Sequence, residues 1–422
     1  MTTPVVRVER LTRRLDELAE IGRIDGPNGE WGNARLALTD DDKAGRDLVV
    51  EWMRALGLAV AIDKIGNIIG TRAGRDMNLA PVMTGSHIDT VGTGGRFDGT
   101  LGVLAGLEVV EALNDADVAT ERPVAVAVFT DEEGSRFPPD MLGSLVYAAG
   151  MPLEAALAIE AVDDRATLGG ELTRIGYAGS APCPPVAPPH AFVELHIEQG
   201  PVLETEAVEI SVVTDVQGIS WTEVTILGRS AHAGTTPMAL RRDPGYAAAA
   251  IATYVRDLAR RFGPPLVATA GRIELVPNLV NVVPASATVA VDMRHTDDDL
   301  LRAANEMFAR HLDELAQSEN VEITTRSLAN FSSVEFDPAM VDRVAASAEG
   351  LGYSHRPIVS GAGHDAQMLA RICPSGMIFV PSVDGLSHNI AEYTAPEHLA
   401  AGAAVLLDVL LGLASEPPPA PA

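Results

Sequence analysis

The sequence predicts an α/β protein: a mostly parallel sheet covered by helices, with a second, α+β domain inserted into the first. Three observations carry this reading. Short β-branched runs alternate with helical segments through the first half of the chain. The stretch between about Thr214 and Phe331 changes texture and follows the order β-α-β-β-α-β, the split ferredoxin-like motif. The first pattern then resumes and continues to a last apolar helix.

Taken in order, Val8 to Ile21 spaces Leu11, Leu15 and Leu18 for one face of a helix, and Asp40 to Leu58 repeats this behind an Asp-rich cap. Strands are expected at Asn67 to Thr71, Pro81 to Thr84, Val124 to Thr130 and Phe192 to Ile197, with a helix at Leu101 to Leu113. In the inserted stretch, SWTEVTI leads to a helix at Pro244 to Phe262 and strands near Val267 to Val276 and Ala287 to Arg294. A long helix at Asp298 to Ser318 and a strand at Val321 to Ser327 complete it. A helix at Pro338 to Leu351, the apolar run Gly376 to Val380 and a helix at Pro396 to Leu413 return to the first domain. The expected divisions are 1–213 and 331–415 for that domain, 214–330 for the insert, and a frayed tail over 416–422.

Composition limits what such a protein does. Acidic residues outnumber basic ones 58 to 31, a net charge of −27 spread along 422 residues. Nucleic acid and anionic membrane surfaces are therefore not expected partners. The two cysteines, Cys183 and Cys373, form neither a disulfide framework nor a thiolate zinc motif, which fits a reducing cytoplasm. The N-terminus lacks the apolar core of a signal peptide, and no stretch is expected to cross a membrane.

The informative pattern is where His, Asp and Glu fall relative to the strands. PVMTGSHIDT ends in His87 and Asp89, VAVAVFTDEEGSRF in Glu132 and Glu133, FVELHIEQGP in His196, and MIFVPSVDGLSHN in His388. Asp98, in GGRFDGTLGV, sits where a glycine-rich loop enters a helix. Ligands of open parallel sheets bind beyond the carboxyl ends of strands, so these groups are placed to converge. Singly each has a plainer reading: Asp98 as a helix cap, the glutamates as a solvated loop, each histidine as hydrogen-bonded structure. Together they suffice for two divalent ions with one carboxylate left as a base, and imidazole with carboxylate suits zinc, manganese, cobalt or nickel better than magnesium or calcium. The His-x-Asp spacing suggests that the Asp89 side chain accepts from the His87 ring nitrogen facing away from the metal. Adjacent Glu132 and Glu133 can point one to the metal and one to the attacking water.

The motifs GSHIDTV, GGRFDGTLGVLAGLEV, TDEEGSRF, HIEQGP, AHAGTTPM, SGAGHDA and PSVDGLSHN, in this order, resemble the hydantoinase/carbamoylase family of amidases. That family includes N-carbamoyl-L-amino-acid hydrolases, allantoate amidohydrolases and β-ureidopropionases, within a clan of dinuclear metal aminoacylases and carboxypeptidases. The resemblance runs from ARLALTDDDKAGRDLVVEWM to the final helix. It implies a bridging Asp98, with His87 and His196 completing one metal site, Glu133 and His388 the other, and Glu132 as general base. The histidine at His196, where peptidases of the clan carry a carboxylate, points to ureido substrates. Gln199 is implied as a substrate-contacting amide, and Gly363 and His364 as pocket lining.

The resemblance also makes the insert a lid and dimerisation domain: Arg294 and Asn281 hold a substrate carboxylate, and His232 steadies the oxyanion from the partner subunit of a homodimer. A guanidinium fork matches a carboxylate bidentately, so the chemistry agrees. The implied function is hydrolysis of a small linear ureido compound, an N-carbamoyl-L-amino acid first and allantoate or N-carbamoyl-β-alanine second, with an inactive scaffold or binding protein as the remote alternative. One departure is Asp384, where a small residue is expected before Gly385; it brings an extra carboxylate into the loop leading to His388.

Overall fold

The computed structural model describes residues 3–417. They fall into two compact units, one made of residues 3–214 and 335–417, the other of residues 215–334.

The larger unit is built on a mixed sheet whose central strands are Val124–Phe129, Val82–His87, Ala191–Ile197 and Ser375–Val380, side by side in that order and all parallel. All four are buried along their length, so Val124–Phe129 reads as an unbroken apolar run rather than an alternating one, and polar residues of the others, such as Thr84, Ser86 and Glu194, are enclosed. The edges depart from the parallel expectation. Ile68–Arg72 lies antiparallel to Val124–Phe129, and Ala59–Ile62 antiparallel to Ile68–Arg72. For the second pair the reason is the connection: the turn of residues 63–67 is too short for a crossover, so the strands it joins can only form a hairpin. On the other side Ile210–Val216 runs antiparallel to Ser375–Val380 and also pairs with His355–Ser360.

Helix Thr100–Asp115 packs on the central strands, and helix Val8–Ala19 packs on it through Leu11, Leu15 and Leu18. Polar staples accompany the apolar seam. The Glu108 carboxylate, without solvent exposure, accepts Arg10 Nε at 2.6 Å and the Arg7 backbone N–H at 2.8 Å, while Arg14 pairs with Glu111. Helix Pro396–Ala414 is long and apolar enough to cross a membrane by composition, yet Leu399, Val405, Leu406 and Leu410 are buried against Ser375–Val380, Thr100–Asp115 and helix Pro338–Leu351. It is a core helix of this unit. Of the expected tail, Glu416 is tied to Arg343 and His190, and residues 418–422 lie outside the described residues.

The second unit has four antiparallel strands in the order Val267–Val276, Ser286–His295, Gly218–Leu227, Glu322–Phe331. Helices Pro244–Phe262 and Asp298–Glu319 cover one face, joined to it by a core that includes Val224, Ile226, Ile251, Val289, Val291 and Phe308. The alternation of buried and half-buried residues along Ser286–His295 follows from one covered face and one open face. A two-residue strand, Ala231–His232, pairs with Val282–Val283 apart from the main sheet.

Candidate metal centre

Three strand ends and two loops of the larger unit bring the acidic and imidazole groups together. His87 closes the strand Val82–His87, and its Nδ1–H donates to the backbone carbonyl of Asp89 at 2.9 Å. His196 lies near the end of Ala191–Ile197 and donates from Nδ1 to the Ile197 carbonyl at 2.9 Å. A carbonyl only accepts, so both rings carry their proton on Nδ1 and turn Nε2 toward Asp98, at 3.7 Å from His87 and 3.1 Å from His196. His196 Nε2 also meets the Gly99 N–H at 3.0 Å. Gly99 makes this approach possible: its φ is +64°, and a Cβ there would lie 2.3 Å from the His87 ring.

On the other side of Asp98, Glu133 Oε2 and His388 Nε2 are 3.2 Å apart, and His388 Nε2 is 3.8 Å from Asp98 Oδ2. His388 is half-exposed and has a φ of +54°. His87, Asp98 and His196 thus offer one set of ligand atoms within 4.8 Å of one another, and Asp98, Glu133 and His388 a second, with Asp98 common to both. The donors are of the kinds that hold zinc, manganese, cobalt or nickel, and with each Nδ1–H held by a carbonyl it is Nε2 of both rings that faces Asp98 and can lose its proton to a metal, so the residues fit two divalent ions. A third grouping, Glu194, His196 and His364, shares His196.

Glu132 stands beside the first set, its Oε2 3.3 Å from His87 Nε2. Burial, with Asp365, Glu133, Asp140 and Asp89 nearby, pushes its carboxyl well above the usual range. Asp98 goes the other way: burial is outweighed by the hydrogen bond and charge of His196 and by His388 and His87, which hold it well below the usual carboxylate range. Burial disfavours the imidazolium, yet Asp98 and Glu194 push His196 up to about 9, and Glu133 and Asp98 push His388 up to about 9. This is a site short of positive charge.

Asp89 corrects an expectation. Its side chain does not receive the His87 ring; the ring reaches the Asp89 main-chain oxygen instead, and the carboxylate accepts the backbone N–H groups of Glu132 and Glu133 at 3.3 and 3.2 Å. The carbonyl, two residues along the same tight turn, takes the ring first. Gln199, at φ +57°, donates from Nε2 to Asp98 Oδ2 at 2.7 Å, while its Oε1 is buried with no hydrogen-bond partner among the described residues. His364 is buried, receives or donates a bond with Ser360 at 3.0 Å and packs edge-on to the His196 ring, 4.5 Å between centroids; Gly363 precedes it. Asp384 is exposed, and its backbone N–H donates to Glu204.

In the second unit, His232 and Asn281 come together: His232 pairs in register with Val282, and the Ala233 N–H donates to the Asn281 carbonyl. Arg294 lies further along Ser286–His295, where Asp292, two residues back on the same face, takes its Nε at 3.0 Å and Nη2 at 2.8 Å.

Two residues of the centre escaped the sequence reading. Glu194 accepts the Ser86 hydroxyl at 2.6 Å and the Ala366 N–H at 2.8 Å, joining two central strands to the turn after Gly363. A carboxylate amid the apolar run FVELHI was the available signal for it. Glu392 accepts the N–H groups of Phe97 and Asp98, and nothing in NIAEYTAP marks it.

Comparisons with known proteins bear on the family of the chain. Residues 83–412 match Peptidase family M20/M25/M40. The chain is 42% identical over 406 residues to an N-carbamoyl-L-amino-acid amidohydrolase of Rhizobium meliloti, covering 96% of each chain. It is 38% identical to an allantoate amidohydrolase of Escherichia coli (strain K12), over 92% of this chain and 95% of that one. A crystal structure of an amidase of the hydantoinase/carbamoylase family from Burkholderia vietnamiensis is similar with a TM-score of 0.94 at 47% identity, covering 99% of this chain and 100% of the other.

Proposed function

This chain belongs to Peptidase family M20/M25/M40, a hydrolase of C–N bonds, and we propose that it hydrolyses the linear ureido bond of N-carbamoyl-L-α-amino acids with the help of two divalent metal ions. The observation that carries the reading is the pair of ligand groups sharing Asp98, with Glu132 beside them. Two divalent ions bound there would supply Lewis acidity toward the ureido carbonyl and a nucleophile at neutral pH.

The chain's own residues do the rest. Glu132 takes the proton of the attacking water and returns it to the leaving amine, a task for which burial makes it a stronger base than an exposed carboxylate. The carbamoyl carbon gains an oxygen and loses the amine; the products are the amino acid and carbamic acid, which breaks down to CO2 and ammonia. Gln199, held by Asp98 through its amide nitrogen, turns Oε1 to the ureido N–H groups, and Gly363 and His364 line the pocket. Arg294 and Asn281 take the substrate carboxylate. His232 donates to the developing oxyanion from a second copy of the chain. Around His232 the surface carries exposed Met238, Leu240, Leu279 and Val280, an apolar rim that supports a homodimer through this unit. Two free, buried cysteines support a reducing cytoplasm.

A second reading, allantoate as substrate, is favoured by the 38% identity to the Escherichia coli enzyme and needs no change in the chemistry. Ammonia release from N-carbamoyl-L- and D-amino acids, allantoate and N-carbamoyl-β-alanine by metal-reconstituted protein tests both. Preference for the L-α series supports the first, preference for allantoate the second, and silence on all of them overturns both.

A further inference from the structure

Glu392 has no part in the chemistry above, yet its side chain is built into the centre. The residue is 2% exposed. Its Oε1 accepts two backbone N–H groups, from Phe97 at 2.9 Å and from Asp98 at 3.1 Å, and its Oε2 accepts the Ser387 hydroxyl at 3.2 Å. The same hydroxyl reaches Asp98 Oδ2. Ser387 immediately precedes His388, and Asp98 belongs to both ligand groups. One carboxylate therefore grips the loop that carries Asp98 through its backbone and the loop that carries His388 through Ser387.

The grip is close and its own base is fixed. A Cβ on Gly95 would lie 2.1 Å from Glu392 Oε1, so the loop approaches as nearly as it does only with glycine there. The Glu392 N–H donates to Asn389, and the next residue's carbonyl accepts from Val383. We infer that Glu392 is a positioning residue for the candidate metal centre, setting Asp98 and His388 in register with each other. This rests on the metal reading of the cluster. Without Glu392, the buried N–H groups of Phe97 and Asp98 lose their acceptor, and the loop has to turn to find another, taking Asp98 with it.

The geometry distinguishes reach from charge. Glutamine keeps the reach: its carbonyl accepts both N–H groups, and its amide donates to Ser387 Oγ, leaving that hydroxyl's proton to Asp98. Aspartate keeps the charge but is one methylene short. Mn2+ binding to metal-free protein, by calorimetry or by competition with a chelator, is compared for wild type, E392Q, E392D and E392A, with thermal midpoints measured in parallel. The expected result is E392Q within about threefold of wild type and E392D and E392A weaker by about tenfold or more, in the range found when partners that orient metal ligands are removed.

Should E392A fail to fold, the order of E392Q and E392D still decides. E392D binding as wild type does, or E392Q weakened as much as E392D, overturns the inference; so does a lowered midpoint without a change in affinity. If wild type itself takes up no Mn2+, Co2+ or Zn2+, the metal reading fails and the clamp with it. If wild type binds and every variant binds equally, the clamp alone fails.

Discussion

The carboxylate of Asp89 accepts the backbone N–H of Glu132 at 3.3 Å, so the turn after one central strand carries the loop after its neighbour. Since the same carboxylate takes Glu133 at 3.2 Å, one residue sets both the proposed base and a proposed ligand. Replacing Asp89 by Asn leaves a single acceptor atom and points an amide donor at one of the two N–H groups. Turnover is expected to fall about 10- to 100-fold with a smaller change in KM, read by steady-state ammonia release; a kcat within threefold of wild type would remove Asp89 from this role.

Glu132→Gln tests the base itself. The amide keeps the size of the side chain and loses the ability to accept a proton, so metal content should stay at the wild-type level while kcat drops by about 10²- to 10⁴-fold. Elemental analysis of the same preparation used for kinetics separates the two effects, and near-normal turnover would dismiss Glu132 as the base.

Arg294→Ala should act on recognition. Loss of a bidentate carboxylate partner is expected to raise KM about tenfold or more for N-carbamoyl amino acids, about 1.4 kcal/mol per factor of ten. An N-carbamoyl amine without the carboxylate provides the contrast: its hydrolysis should be indifferent to the substitution. Equal KM values for wild type and variant on the carboxylated substrate would take Arg294 out of the clamp.

Asp63 offers a pH dependence away from the centre. Burial pushes its carboxyl up to about 6 despite the hydrogen bonds it accepts from Asn67 and Ile65 and its bond with Cys183. A folded-state value above the unfolded 3.8 means the native protein holds this proton more tightly, so the residue's effect on stability is most favourable below about pH 4 and worsens as pH rises to about 6. Over that window wild type should lose stability relative to Asp63→Asn, by at most about 3 kcal/mol. Denaturant unfolding of both at pH 4, 5, 6 and 7 gives the difference; a wild-type stability that, relative to Asp63→Asn, stays flat or rises between pH 4 and 6 contradicts the assignment.

Much of the centre was legible because parallel strands end where ligands bind. His87, His196 and the Glu132–Glu133 pair each close or follow a run of apolar residues, and the covered sheet aligns those ends. What was illegible depends on atoms rather than residue types. Spacing alone does not say that the His87 ring finds a main-chain oxygen before the Asp89 side chain, or that a glutamate four residues after His388 reaches back to the turn at Phe97. The antiparallel edges were missed for a related reason: β-branched runs mark strands, while direction is set by the length of the connection, and the turn of residues 63–67 forces a hairpin. Short helices such as Leu142–Tyr147 lie in loops too irregular for a periodic signal.

The place of Ser375–Val380 in the sheet bears on how the protein is made. This strand lies between Ala191–Ile197 and Ile210–Val216, although it is separated from both by well over a hundred residues. A ribosome delivers the two flanking strands long before the one that joins them, so the nascent chain carries two unpaired edges while residues 217–374 are synthesised. Such edges are sticky toward other chains. Expression yield should therefore respond strongly to chaperone supply and to translation rate over this interval, and a product cut short before residue 375 should aggregate rather than persist as a smaller folded protein.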